Sequence, residues 1–313
     1  MTGIAKRDEL ARRTLALGGR EDDRYWWFKF NHYVPPLYKS LVDDEWQAIL
    51  DWYDETDERF PGTAAETNIT AMSMLQGLIC GSGIRRIVQC GHYRGYSTLL
   101  LGFFARSMGF RNSIFSIDKN RMVTKYVQTW IERTGLEDYV HLCVSDSAKP
   151  KLPARARAYF GGEAIQLVFI DSSHQYRHTT AELALWYAEL ASGGFLVLHD
   201  VSRYAAAFDS KHAGGVYRAV AEWKAGLSPN ALWINDFLFS GHRERIVYLD
   251  ACGLGLIQKP GRETLEGCTG GALALNQKQV NIAGQVVMLG RRILRRIARL
   301  LGVNMTAGSD KRR

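Results

Sequence analysis

From Arg85 onward the chain alternates between short β-rich runs and longer helix-compatible stretches, and few architectures accept that rhythm. "RIVQC" precedes Ser97 to Met108, "SIFSI" precedes Met122 to Thr134, and "VHLCV" precedes a polar segment. "IQLVFI" then leads to Thr179 to Leu190, and "GFLVLH" to Val216 to Lys224. Runs this apolar must be covered on both faces, so the alternation predicts an α/β fold: a mostly parallel sheet between two helical layers. "ALWINDFLF" and "GLGLIQK" follow with no comparable helix between them, which predicts an antiparallel pair closing a seven-stranded sheet. Three regions are expected: a helical, aromatic extension over 1–80 as cap or lid, an α/β domain over 81–262, and a tail over 263–313.

Charge bears mainly on the tail. The formal net charge is +8, but Met288 to Arg313 holds eight Lys/Arg and one acid, which leaves the preceding chain close to neutral. Val286, Leu289, Ile293, Ile297 and Leu300 recur at helical spacing with Arg291, Arg292, Arg295, Arg296 and Arg299 between them. Such a basic amphipathic helix suits an anionic membrane surface, a second copy of the chain, or docking on its own domain. Nucleic acid is not expected, because the main domain offers no basic surface. The five scattered cysteines lack metal-ligand spacing, and no apolar run approaches ~20 residues. With no leader pattern at the N-terminus, the expectation is a cytoplasmic protein, peripheral at a membrane if the tail binds one.

In open parallel sheets, ligands sit beyond the carboxyl ends of the strands. The first strand is followed by "GHYRGYS", in which Gly91 and Gly95 permit a tight turn and Ser97 opens the next helix. Asp118 ends the second strand, where an acid suits ribose hydroxyls, although Asp also caps helices. Ser145, Asp146 and Ser147 follow the third and suit the edge of an adenine. A nicotinamide dinucleotide requires G-x-G-x-x-G, whereas here the spacing is G-x-x-x-G, with His92 and Tyr93 in the region where the second glycine is needed. A nucleoside without phosphates that carries an amino-acid carboxylate fits better, and S-adenosylmethionine is such a molecule. The fourth and fifth strands end in "VFIDSSHQY" and "FLVLHDVS". Asp171 and Asp200 should therefore converge, where they could share a hard divalent cation such as Mg2+.

Over Thr63 to Lys259 the sequence resembles the class I S-adenosylmethionine-dependent O-methyltransferases, a Rossmann-like fold. It is most similar to the bacterial sugar and natural-product group, and similar in layout to catechol O-methyltransferase. "VFIDSSHQY...SGGFLVLHDV" resembles the group's DGxHxY...GGxxxxHD signature, and "GHYRGYS" and "FSIDKN" resemble the glycine-tyrosine loop and the ribose-binding strand end of catechol O-methyltransferase. The resemblance implies that Gly91, Tyr93, Gly95 and Ser97 border the methionine end of the cofactor, Asp118 the ribose, and Asp146 and Ser147 the adenine. It implies Asp171 and Asp200 as metal ligands and catalytic groups, and it places His174 where catechol O-methyltransferase has its catalytic lysine. Gln89 stands where many relatives have an acid, and Val201 where the catechol enzyme has a third metal ligand. The implied activity is methyl transfer to a hydroxyl of a small molecule, sugar or glycan. An NAD(P)-dependent oxidoreductase and a non-catalytic partner protein are the alternatives. His32, Tyr33 and the 208–212 loop are expected to touch the acceptor.

Overall fold

The computed structural model describes residues 3–16, 23–61, 66–223, 246–247 and 252–259. The described residues all belong to one compact unit, which ends at Lys259. The basic amphipathic stretch and "ALWINDFLF" lie outside the described residues.

Seven strands form one sheet: β1 (Ile87–Cys90), β2 (Ile114–Asp118), β3 (Val140–Val144), β4 (Ile165–Ile170), β5 (Leu190–His199), β6 (Ile246–Val247) and β7 (Leu254–Gln258). Their order is β3-β2-β1-β4-β5-β7-β6. The first five strands run parallel, β7 lies antiparallel to β5, and β6 lies antiparallel to β7. This is the expected parallel sheet with an antiparallel closure, with the sixth strand at Ile246–Val247. β1 is buried at every position because both faces are covered, whereas the edge strand β3 leaves His141 and Val144 exposed.

Alternate residues feed two cores. Ile87 points into one with Ile114, Leu167, Phe169 and Val197, under α5 (Ile69–Ser82), α6 (Tyr96–Ser107) and α7 (Arg121–Thr134). Val88 and Cys90 point into the other with Val168 and Ile170, under α8 (Leu152–Tyr159), α9 (Tyr176–Glu189) and α10 (Gly215–Glu222). α8 occupies the segment read from sequence as merely polar. Its Ala-Arg alternation hides the helix, yet Leu152 and Ala156 are buried one turn apart and Pro153 sits in its first turn.

The aromatic N-terminal extension shares the first of these cores. It comprises α1 (Gly3–Ala16), α2 (Trp26–Asn31), α3 (Pro36–Ser40) and α4 (Asp43–Arg59). Lys6 is buried on α1, and its Nζ donates to the carbonyls of Tyr38 (2.7 Å) and Leu41 (2.5 Å), satisfying the orphan end of α3. The Tyr38 hydroxyl lies 3.0 Å from that of Tyr53 and 2.6 Å from that of Tyr96 at the start of α6. Trp52 Nε1 donates to the Arg94 carbonyl at 2.9 Å. The extension thus braces the turn between β1 and α6 from behind. Removing the central hydroxyl, Tyr38→Phe, takes one partner from each of two buried hydroxyls and should cost about 1–3 kcal/mol in urea denaturation. An unchanged midpoint and slope would show that this trio contributes nothing.

Candidate active site

Strand register decides which residues meet. Cys90 pairs with both Ile117 and Ile170, and Ile170 pairs with Leu198. The residues one step on, Gly91, Asp118, Asp171 and His199, therefore stand in a row along the carboxyl edge, with Ser145 to Ser147 just beyond β3. A cavity of about 630 Å³ opens over this row. Gly91, Tyr93, Ser97, Asp118, Asp146, Ser147, Asp171, His174 and Asp200 all line it. Gly95 does not.

The two glycines of the first turn answer to packing. A Cβ built on Gly91 would lie 2.0 Å from the Asp171 carbonyl oxygen, and the residue has φ +89°. Its missing side chain lets the ends of β1 and β4 close on each other. Gly95 starts α6 with φ +98°, and a Cβ there would press on the Val127 side chain at 3.0 Å. Beneath the turn, Gln89 is fully buried. It donates to Ser97 Oγ at 2.8 Å and accepts from the Thr98 and Ser116 hydroxyls, each at 2.9 Å. An amide suits this place because it donates and accepts at once. Gln89 is absent from the cavity lining. His92 continues the network, 3.0 Å from Ser116 Oγ and 2.9 Å from Thr124 Oγ1. Burial pulls its pKa down to about 4 against the pull of Asp118, so it is neutral at neutral pH.

Asp118 accepts the Tyr93 amide at 3.1 Å and the Asn120 amide at 2.8 Å. The helix-capping duty weighed for it falls instead to Asn120, whose side chain accepts from the amides of Met122 and Val123. Asp146 accepts the Ala148 amide and lies 2.9 Å from His178 Nε2.

The densest charge lies where β4 and β5 end. His174 Nε2 is 2.9 Å from Asp200 Oδ2 and 3.8 Å from Asp171 Oδ1. His199 Nδ1 is 3.3 Å from Asp200 Oδ1 and 3.6 Å from Asp171 Oδ1. Burial works to raise both carboxyl pKa values, but the two histidines overcome it and hold them below the usual range. For His174, burial pulls the pKa down and the two carboxylates outweigh it, lifting it to about 10. One donor atom from each of Asp171, His174 and Asp200 falls within a 4.8 Å span, a mixed oxygen and nitrogen set that fits a divalent cation. Val201 is fully buried, so the third donor of this set is His174. His174 (φ +56°) and Asp200 (φ +60°) both occupy the left-handed region. For residues other than glycine this costs on the order of 1–3 kcal/mol each.

Sequence reasoning missed Thr67, which donates to Asp171 Oδ2 at 3.1 Å, Glu66 beside it in the lining, and His178. Nothing in their local sequence marks Glu66 and Thr67, since they sit just before the Asn68 cap of α5 and reach the site only through tertiary packing. His32 and Tyr33 are not in the lining; His32 stands against Phe28 with ring centres 5.5 Å apart. Phe208 does flank the site, 5.8 Å from the His174 ring.

The profile of a family described as a methyltransferase domain matches residues 88–201, from inside β1 to just past Asp200. The chain contains a methyltransferase domain. This methyltransferase domain spans every site residue of the row, while the N-terminal brace and β7 lie outside the match. Among solved structures, the SAH-bound methyltransferase PaMTH1 of Podospora anserina overlays with a TM-score of 0.49 at 14% identity, covering 80% of this chain and 95% of its own. The O-methyltransferase TomG of Streptomyces achromogenes, involved in tomaymycin synthesis and solved with SAM, gives 0.48 at 16% identity, covering 76% and 96%. An O-methyltransferase of Bacillus cereus in complex with SAH gives 0.45 at 14% identity, covering 74% and 94%. No curated protein matches the chain.

Two outcomes test the turn of the methyltransferase domain. Gly91→Ala meets backbone that cannot give way and should cost upwards of about 3 kcal/mol, read as a lowered Tm or failure to fold. Retention of the parent Tm would refute the packing account. His92 has a folded pKa depressed below its unfolded value of ~6.5, so the unfolded chain binds the extra proton between the two. Its contribution to stability is complete above pH ~6.5 and is lost as pH falls through about 4. That acid limb should shrink in His92→Asn, measured by denaturation at several pH values; an identical limb would assign it to other groups.

Proposed function

We propose that the chain transfers the methyl group of S-adenosylmethionine to a hydroxyl oxygen of a small molecule. The observation that carries the reading is the single cavity in which a row of polar strand ends adjoins a centre of two carboxylates and two histidines. In this reading Asp118 holds the ribose, Asp146 and Ser147 border the adenine, and Tyr93 and Ser97 border the methionine end. When bound, the cofactor supplies an electrophilic methyl carbon, and the protein's task is to orient an acceptor and make it nucleophilic.

Asp171 and Asp200 would hold a divalent cation, whose charge would lower the pKa of a hydroxyl beside it, and His174 would stay off the ion so that its lone pair is free for the hydroxyl's proton. Left to the carboxylates alone, the His174 imidazole is cationic at neutral pH and holds its proton too tightly to be a base. A second positive charge on the same carboxylates would weaken that hold and let the His174 ring act as a base. The exposed rings of Phe208 and Tyr204, 5.7 Å apart, offer flat faces beside the centre on which a sugar or a phenol can lie. Sugar and glycan hydroxyls belong to the proposed acceptor class. Contact with an anionic membrane or a second copy through the basic tail is likewise a proposal from sequence. No described helix is long and apolar enough to cross a membrane.

Calorimetry with S-adenosylmethionine should show binding, and a methyl-release assay on hydroxylated acceptors should lose activity in EDTA. His174→Ala should lower turnover about 10²–10⁴-fold and leave cofactor affinity nearly unchanged. Absence of binding heat refutes the cofactor, full activity in EDTA refutes the cation, and equal losses of turnover and affinity would make His174 a wall of the pocket.

A further inference from the structure

One buried acid behind the site takes no part in the chemistry above. Between β5 and α10 the chain makes a 3₁₀ turn (Ala205–Phe208) and then reaches Asp209, whose side chain is fully buried. Four main-chain amides converge on it. Its Oδ1 accepts from Lys211 at 2.9 Å, and its Oδ2 from Ala213 and Gly215 at 3.1 Å each and from Tyr176 at 3.4 Å. Tyr176 is the first residue of α9 and Gly215 the first of α10, so the carboxylate lies where the positive ends of two helices meet. Burial works to raise its pKa and the amides outweigh it, which leaves it an anion at neutral pH.

Two of these amides bear directly on His174. Tyr176 lies two residues beyond it. Gly215 stands so close that a Cβ there would lie 3.0 Å from the His174 carbonyl oxygen. Phe208, the residue before Asp209, packs its ring against the imidazole. His174 itself is held at φ +56°. A conformation of that kind persists only where the surroundings impose it.

We propose that Asp209 is a positioning residue: by gathering the starts of α9 and α10 onto one buried carboxylate, it fixes the His174 backbone in its left-handed form and aims the imidazole at the acceptor. The proposal rests on the methyl-transfer reading with His174 as base, and it adds the group that sets where this base stands. Asp209 has no exposed surface and is absent from the cavity lining, so it acts through His174 and never on the acceptor. A reacting group misplaced by about 1 Å loses on the order of 10²-fold in rate.

The test measures kcat and cofactor affinity on the full chain, with catechol and methyl glucoside as phenol and sugar probes and with circular dichroism and Tm as checks of folding. Asp209→Asn keeps the volume but turns one acceptor oxygen into an NH2 group that faces amide protons. It should lower kcat about 10–100-fold and leave the Kd for S-adenosylmethionine within about threefold. In a His174→Ala background the same substitution should cost less than about threefold in kcat, because the group it aims is gone. A folded Asp209→Asn protein with parental kcat, or losses that multiply in the double variant, overturns the inference and leaves the methyl-transfer reading intact. A parent protein that binds no S-adenosylmethionine or methylates neither probe overturns that reading, and parental kcat in His174→Ala overturns the base. Should Asp209→Asn fail to fold, Gly215→Ala decides in its place. That variant keeps the carboxylate, drives a methyl group against the His174 carbonyl, and should lower kcat by a similar factor only while His174 is present.

Discussion

The architecture of the site depends on how closely two parallel strand ends approach. At Gly91 the chain leaves β1 with a left-handed φ and no side chain, against the carbonyl of Asp171 leaving β4. Any Cβ there would force the ends of the two central strands apart, and the row from Asp118 through Asp171 to His199 would lose its common floor. Glycine before a strand-to-helix turn is often ascribed to a ligand. In this chain the neighbouring strand already demands it.

Around that approach the protein places polar networks beneath the floor and on it. Gln89, Ser116, His92 and Thr124 tie β1, β2 and the start of α7 together below the turn, each engaging a partner of matched polarity. The N-terminal helices grip the same turn from outside, through Trp52 on the Arg94 carbonyl and through the tyrosine trio reaching α6. A loop that would otherwise be mobile is thereby held at both ends. Arg94 adds to this, with its guanidinium 4.1 Å from the centre of the Phe60 ring.

Much of this was legible in the residues because the parallel sheet imposes a simple rule: strand ends are where side chains converge. "LVFID" and "FLVLHD" announce both strand and site, since four apolar residues run to the sheet edge before a charge can be tolerated. The β–α alternation specified the layers for the same reason. What could not be read depends on contacts distant in sequence. Thr67 meets Asp171 across 104 positions and has no local signature. The pKa of His174 is lifted by two carboxylates, one of them on another strand, so no reading of "SSHQY" by itself reveals a cation. Gly95 looked like a ligand-facing residue because spacing does not tell which side of a turn faces the cavity. α8 was missed because a short helix that buries only Leu152, Pro153 and Ala156 has almost no apolar stripe to detect.

His174 and Asp200 both sit in a backbone conformation that side chains resist. The fold would be easier to form with glycine at these two positions, where the left-handed well carries no steric cost. Selection for thermal endurance alone would therefore favour glycine at both positions, so stability does not account for the two side chains found there.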